Sequence, residues 1–166
     1  DAEVLCTLAR GYDCLTIVDA VTTLAGIPLE VDTWGIDAIY SGTQKCLSCI
    51  PGLSPVSFSP RAAAKITNRK NRVQSWFLDT NLVMGYWGAD AKRSYHHTAP
   101  VNSLYALHES LVILEEEGLE DSWKRHRLNH LFPFLCQVPF SRRHKKLALC
   151  KKPRERERKR VVTTVA

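Results

Sequence analysis

The feature that most constrains the fold is a pair of short, largely apolar runs, each closed by polar or small residues. Residues 14–18 (CLTIV) are rich in β-branched side chains and are followed by Asp19. Residues 36–40 (IDAIY) are followed by Ser41 and Gly42. Parallel strands are covered on both faces and read as continuous apolar runs rather than as alternating ones. We therefore predict two buried strands of a parallel sheet.

The sequence around these strands shows the spacing typical of helices and the residues typical of turns. Residues 2–10 are typical of a helix that ends at Gly11, and residues 61–71 of a polar helix. A third apolar stretch covers residues 55–58, whereas residues 76–87 are aromatic and predicted to form a loop. Strands that alternate with helices place the first 120 residues in the α/β class.

The strongest helical pattern lies between Pro100 and Gly118. Apolar residues recur there at the i, i+3, i+4, i+7 spacing of an amphipathic helix. The predicted buried stripe consists of Val101, Leu104, Leu107, Leu111 and Leu114. A second helix is expected to begin near Leu119, and the regular pattern fades after about Leu128, where prolines interrupt it.

Charge is distributed unevenly along the chain. Residues 1–120 hold 9 Lys/Arg and 14 Asp/Glu, whereas residues 121–166 hold 14 Lys/Arg and 3 Asp/Glu. A basic run at 142–160 is typical of an arm that contacts nucleic-acid phosphates, so a nucleic-acid-binding or interaction protein is the alternative function. Charge runs are more often solvated surface, and we expect no nucleic-acid partner. No apolar run is long enough to span a bilayer.

Cysteines and histidines offer no clear metal site. The six cysteines form no framework pattern and favour a reducing compartment. Cys46 and Cys49 make one C-x-x-C pair, but structural zinc needs four ligands and no second pair stands at the right spacing. Adjacent histidines point in different directions on a regular element, so His96 and His97 are interpreted as structural. We predict no bound metal.

The pattern that carries chemistry joins an acid and a lysine. Asp19 stands at the carboxyl end of the first strand, and Lys45, in S-G-T-Q-K, follows the second strand 26 residues later. Ligands of open α/β sheets bind outside the carboxyl ends of the strands. A lysine that forms a Schiff base and a carboxylate that keeps the ring nitrogen protonated are what pyridoxal phosphate requires. Each residue alone also fits an ordinary role, Asp19 as a turn former and Lys45 as a solvated loop residue.

Three segments in order resemble the alanine–glyoxylate (serine–pyruvate) aminotransferases, in the class V branch of fold-type I pyridoxal-phosphate enzymes. They are C-L-T-I-V-D-A-V-T-T-L-A-G-I-P-L, Y-S-G-T-Q-K-C-L-S-C-I-P-G and S-Y-H-H-T-A-P-V-N-S-L-Y-A-L-H-E-S-L. The resemblance runs to about Arg127 and resumes in the last six residues. A cysteine desulfurase relative would share the acid and the lysine, but Cys46 and Cys49 lie too near Lys45 to serve as its mobile-loop cysteine.

The resemblance implies roles for individual residues. Lys45 matches the Schiff-base lysine, Asp19 the partner of the pyridine nitrogen, and Gln44 a residue that binds the cofactor phosphate. Tyr95 and Thr98 match residues that reach the phosphate of the neighbouring subunit's cofactor, which implies a homodimer. Without the resemblance, Gln44 could bond a loop and Tyr95 could pack in a core.

The implied activity is amino transfer from alanine or serine to glyoxylate or pyruvate. The expected compartment is the peroxisome, with mitochondrion and cytosol open, because the resemblance implies it. VVTTVA carries no S-K-L address, and we find no other targeting signal in this chain.

The resemblance also predicts how the chain is divided, and the opening Asp1 favours a fragment. Residues 1–127 match the central part of the large, mostly parallel α/β domain. Residues 128–160 read as a divergent, poorly ordered basic segment, and residues 161–166 as the start of a strand of a truncated carboxyl-terminal domain. The family's phosphate loop, its ring-stacking aromatic residue and its carboxylate-binding arginine cannot be placed here, so we expect that this fragment could be inactive.

Overall fold

A three-stranded sheet organises the chain in the computed structural model, which describes residues 1–87 and 94–135. β1 (Ile17–Asp19) pairs in parallel with β2 (Ala38–Tyr40), and β2 pairs antiparallel with β3 (Val56–Phe58). The predicted parallel pairing of the first two strands is confirmed. The described sheet is nevertheless mixed, because the chain returns through residues 41–55 and β3 runs back along β2.

Five α-helices lie among the described residues. They are α1 (Ala2–Gly11), α2 (Pro60–Thr67), α3 (Thr80–Trp87), α4 (Val101–Glu117) and α5 (Leu119–Leu135), with a short 3₁₀ helix at Trp76–Leu78 before α3. Asp1–His130 form one compact unit. The helices predicted around 2–10 and 100–118 are confirmed, which shows that the 3.6-residue period was a reliable signal where it ran longest.

Local hydrogen bonds explain where other helix predictions were wrong. Residues 76–87 are helical rather than a loop, because the carboxylate of Asp79 accepts the backbone N–H of Asn81 (3.1 Å) and caps the first turn of α3. α2 ends at Thr67, short of the predicted boundary at residue 71, because Asn68 turns its backbone N–H back onto the last carbonyls of the helix. α5 continues past Leu128 to Leu135, so the helix does not end where the regular pattern fades in the sequence.

The core sits on one face of β1 and β2. Cys6, Ala20, Ile36 and Ile39 are fully buried, and β1 contributes the half-buried Val18. The other face of β1 is open: Ile17 is 75% exposed. The prediction that the first strand is buried on both faces was therefore wrong for the described residues, because no element among them covers that face.

α4 has the predicted bounds, but its inward face matches the predicted stripe only in part. Of that stripe, Val101, Leu104 and Leu111 are exposed, whereas Leu107 and Leu114 are turned inward. Small residues are also turned inward: Ser103, Ala106 and Ser110. Small side chains allow a helix backbone to approach its neighbour closely, and here the neighbour is a loop rather than a sheet.

A buried carboxylate ties the amino ends of the strands to α2. Asp37 accepts hydrogen bonds from the backbone N–H of Thr16 (3.0 Å), the hydroxyl of Ser59 (3.0 Å) and the guanidinium of Arg61 (3.1 Å). Arg61 also pairs with the exposed Asp13 at 2.6 Å. Burial by itself raises the pKa of Asp37, but these donors and the positive charge outweigh it and leave the pKa below its ordinary value. Asp37 is thus an internal anchor at the edge of the sheet opposite Asp19.

Candidate functional site

Asp19 is the last residue of β1 and presents its carboxylate at the carboxyl edge of the sheet. One oxygen accepts the backbone N–H of Val21 (2.8 Å) and the other accepts the hydroxyl of Tyr40 (2.9 Å). These two bonds lower the pKa of Asp19, the bond from Val21 more than the bond from Tyr40. The exposed carboxylate is therefore ionised at neutral pH and held from two sides.

The loops that follow β1 and β2 are joined by hydrogen bonds. The backbone N–H of Ala20 donates to the carbonyl of Tyr40 (2.8 Å), and the buried hydroxyl of Ser41 donates to the carbonyl of Ala20 (2.9 Å). Further along, the thiol of Cys46 lies 3.2 Å from the carbonyl of Thr22. The loop that begins at Asp19 and the loop that carries Lys45 consequently run side by side.

Lys45 lies on a closed turn. The hydroxyl of Thr43, which is fully buried, donates to the carbonyl of Ile50 (2.7 Å) inside this turn. The backbone N–H of Cys49 returns to the carbonyl of Thr43 (3.0 Å), and that of Ser48 to the carbonyl of Lys45 (2.9 Å). Because its backbone is fixed at several points, the turn presents the lysine from a defined position.

Two helices support these loops from behind. The buried hydroxyl of Ser110 on α4 donates to the carbonyl of Leu47, and the buried hydroxyl of Ser122 on α5 donates to the carbonyl of Ala25 (2.8 Å). Gly26 lies against Cys46, since a Cβ at that glycine would stand 2.6 Å from the cysteine sulfur. These contacts are not recognisable in the sequence, because lone serines in helices form no pattern.

Gln44 and Lys45 are both exposed at this edge. The side chain of Gln44 folds back over Gly42, and a Cβ at that glycine would meet the amide oxygen at 2.9 Å. An exposed amine, an exposed amide and an ionised carboxylate on two bonded loops form a set that can bind a ligand with a reactive carbonyl, anionic groups and a protonated ring nitrogen. These residues therefore fit pyridoxal phosphate.

The segment around residue 95 forms a separate cluster. The hydroxyls of Tyr95 and Thr98 hydrogen-bond to each other, and Tyr95 is 70% exposed. His96 is buried and stacks on Trp76 with ring centroids 4.1 Å apart, while its Nδ1 lies 2.6 Å from Nδ1 of His97. The described contacts of Tyr95 and Thr98 do not reach Asp19 or Lys45, and both histidines make packing contacts, in line with their structural interpretation.

The described residues include neither a metal-binding cluster nor a membrane-spanning helix. Within residues 1–87 and 94–135, no group of three or more His, Cys, Asp or Glu side chains could hold a metal ion. No helix in those ranges is long and apolar enough to cross a bilayer. The four cysteines of the described part of the chain are unpaired, and Cys136, Cys150 and the basic run at 142–160 lie outside it.

Comparisons with known proteins point to one family. Residues 1–133 match the family model described as aminotransferase class-V. The alanine–glyoxylate aminotransferase of Oryctolagus cuniculus is 48% identical over 128 residues, which are 75% of this chain and 33% of that protein. The chain thus spans about a third of the length of the curated relatives that it matches.

Solved structures agree with the sequence relatives. The crystal structure of an alanine–glyoxylate aminotransferase from Nostoc sp. superposes with a TM-score of 0.74 at 45% identity, covering 80% of this chain and 34% of that one. A ureidoglycine–glyoxylate aminotransferase from Bacillus subtilis gives a TM-score of 0.72 at 39% identity, covering 76% and 32%. The described fold is therefore a part of the large α/β domain of this group of enzymes.

Proposed function

The chain belongs to the class-V aminotransferase family, and from that premise we propose that it is part of an alanine–glyoxylate (serine–pyruvate) aminotransferase whose cofactor is bound at Lys45. Enzymes of this family depend on pyridoxal phosphate. The observation that supports the proposal most directly is the pair of hydrogen-bonded loops that carry Asp19 and Lys45 at one edge of two parallel strands.

Asp19 is proposed to bind the pyridine nitrogen. When bound, the cofactor supplies an electron-withdrawing ring that accepts the electrons released from the substrate α-carbon. The ring does so best when its nitrogen is protonated, and a carboxylate with a lowered pKa keeps a proton on that nitrogen. Asp19 is both ionised and fixed by two donors, so it suits this role.

Lys45 is proposed to hold the cofactor through its Nζ and to serve as the general acid and base of the reaction. The Nζ of Lys45 would accept the proton that leaves the substrate α-carbon and would then give that proton up as the amino group is transferred. The closed turn around Thr43 matters for this step, because proton transfer requires a donor and acceptor held within hydrogen-bond reach.

Gln44, Tyr95 and Thr98 are proposed to bind cofactor phosphate. Gln44 neighbours Lys45 and exposes its amide on the same edge. Tyr95 and Thr98 form an exposed pair of hydroxyls that does not contact the site of its own chain, so they are proposed to serve the site of a second subunit in a homodimer.

The proposal also covers the substrates, the cellular compartment and the domain division of the whole protein. The names of the relatives from Oryctolagus cuniculus and Nostoc sp. support alanine as donor and glyoxylate as acceptor, and we extend these to serine and pyruvate. We assign the full-length protein to the peroxisome. Residues 1–127 are proposed to be the central part of the large domain, 128–160 a divergent basic segment, and 161–166 the start of a further strand.

The test is to incubate the 166-residue chain with pyridoxal phosphate, reduce with borohydride, and map the modified lysines by mass spectrometry. We expect modification at Lys45 well above that at Lys65, an exposed-helix lysine that serves as the internal reference. Asp19→Asn should weaken the labelling of Lys45, whereas the control Asp32→Asn should not. Labelling of Lys45 no stronger than that of Lys65 would contradict the proposal.

A further inference from the structure

Tyr40 stands directly beside Asp19 in the sheet. The two residues are paired in the register of β1 and β2, and each is the last residue of its strand. Paired residues of adjacent strands project from the same face, so the phenol reaches the carboxylate and its hydroxyl donates to one oxygen at 2.9 Å. The two strand ends therefore present an acid and a donor together.

Tyr40 lies on the open side of the sheet. Because side chains alternate along β2, its ring projects from the face opposite Ile39, which packs into the core, and 40% of the residue is exposed. A tyrosine that only filled a core would be buried more completely. The hydroxyl of Tyr40 therefore lies at the exposed edge of the sheet, where it reaches Asp19.

We propose that Tyr40 is a positioning residue for Asp19, which fixes the plane of the carboxylate so that it faces the ring nitrogen of the cofactor. This inference rests on the proposed function. The N–H of Val21 holds one oxygen of Asp19 and Tyr40 holds the other, so rotation of the carboxylate breaks a hydrogen bond. Each carboxylate oxygen can accept two hydrogen bonds, which leaves a free acceptor position for the ring nitrogen.

A phenol suits this task better than a cationic donor would. Arginine or lysine at this position would bond the carboxylate equally well, but its positive charge would oppose a protonated ring nitrogen nearby. The hydroxyl of Tyr40 is neutral, and its bond to Asp19 raises the pKa of the phenol, so it remains a donor at neutral pH. Asp19 thus keeps its full negative charge for the cofactor.

The first arm of the test uses Tyr40→Phe in the chain without cofactor. The titration of Asp19 is followed by NMR of isotope-labelled aspartate carboxyls, with Tyr105→Phe, which removes the hydroxyl of a tyrosine 74% exposed on α4, as the matched control. We expect the Asp19 midpoint to move to higher pH in Tyr40→Phe and to stay in place in Tyr105→Phe. An unchanged midpoint in Tyr40→Phe would overturn the inference.

The second arm measures how much pyridoxal phosphate is needed to label Lys45. Tyr40→Phe should require roughly threefold to tenfold more, the effect of one hydrogen bond, and circular dichroism should show an unchanged fold. In the Asp19→Asn background the same substitution should add little, because Tyr40 acts through Asp19. An equal effect in both backgrounds would indicate a merely structural role and overturn the inference.

The two arms separate this inference from the proposed function. If Lys45 is not labelled even in the unsubstituted chain, the proposed function fails and the cofactor role of Tyr40 fails with it. If Lys45 is labelled but the Asp19 midpoint and the labelling are insensitive to Tyr40→Phe, the function stands and only the positioning role is overturned.

Discussion

The two carboxylates that contact Arg61 provide a direct test of how burial sets the strength of an ion pair. Asp37 has a side chain 2% exposed and lies 3.1 Å from the guanidinium, whereas Asp13 is 97% exposed and lies 2.6 Å from it. The perturbation is Asp37→Asn, which keeps the shape of the side chain and removes its charge. Asp13→Asn is the matched control on the same arginine.

The magnitude follows from distance and exposure. At 3.1 Å, with an effective dielectric constant of about 20, the Coulomb attraction between Asp37 and Arg61 is roughly 5 kcal/mol. The side chain of Arg61 is 33% exposed and shared with Asp13, so water screens part of this attraction. Loss of the charge also removes the desolvation penalty of the carboxylate. We expect Asp37→Asn to lower the free energy of unfolding by about 2–3 kcal/mol, and Asp13→Asn by under about 0.5 kcal/mol.

The assay is urea denaturation of the 166-residue chain at neutral pH, followed by far-ultraviolet circular dichroism. Equal destabilisation by the two substitutions would refute the reasoning, because both remove a carboxylate from the same guanidinium and differ mainly in burial. A loss below about 1 kcal/mol for Asp37→Asn would show that the hydrogen bonds from neutral donors, rather than the charge, hold the carboxylate.

Three further predictions concern pH and the loops of the candidate site. The pKa of Asp37 in the folded chain is lowered from 3.8, so the stability that its charge contributes is present above that pH and is lost as the pH falls through the folded pKa. In acid denaturation measurements, the difference in stability between the unsubstituted chain and Asp37→Asn should therefore disappear as the pH falls. Ser110→Ala removes the donor to the carbonyl of Leu47, so it should lower the free energy of unfolding by about 1 kcal/mol and weaken the labelling of Lys45 by the cofactor. The same loss of stability with unchanged labelling would show that this helix contact does not affect the candidate site. Gly26→Ala should lower the free energy of unfolding in urea by about 1–3 kcal/mol, because the new methyl group meets the sulfur of Cys46. Adding Cys46→Ala should relieve much of that loss, and a double variant whose loss equals the sum of the two single losses would count against this contact.

The sequence was sufficient wherever a local pattern carried the signal. Two apolar runs predicted two parallel strands, and the acid at the end of one strand and the lysine after the other lie on loops that are hydrogen-bonded to each other. The long helix at 100–118 was also recognisable, because a 3.6-residue period over many turns is hard to produce by chance. The resemblance to class-V aminotransferases, carried by three motifs, was confirmed by the family and structural comparisons.

Which residues contact each other where two elements meet was decided only by the tertiary structure. The pairing of Tyr40 with Asp19 depends on strand register, and a shift of one residue would turn the phenol to the opposite face. The sequence predicted the inward face of α4 only in part: Leu107 and Leu114 are turned inward, but so is the small Ser110, whose hydroxyl donates to the carbonyl of Leu47 in the lysine turn.

Asp37 shows the same limit of local reasoning. Within IDAIY it looks like one polar residue in an apolar run, and its importance depends on Thr16, Ser59 and Arg61, which come from three other parts of the chain. A sequence states which chemical groups a chain possesses and the period at which they recur. Folding determines which groups share a low-dielectric space, and for this chain that sharing determines which carboxylate anchors the fold and which remains available for a ligand.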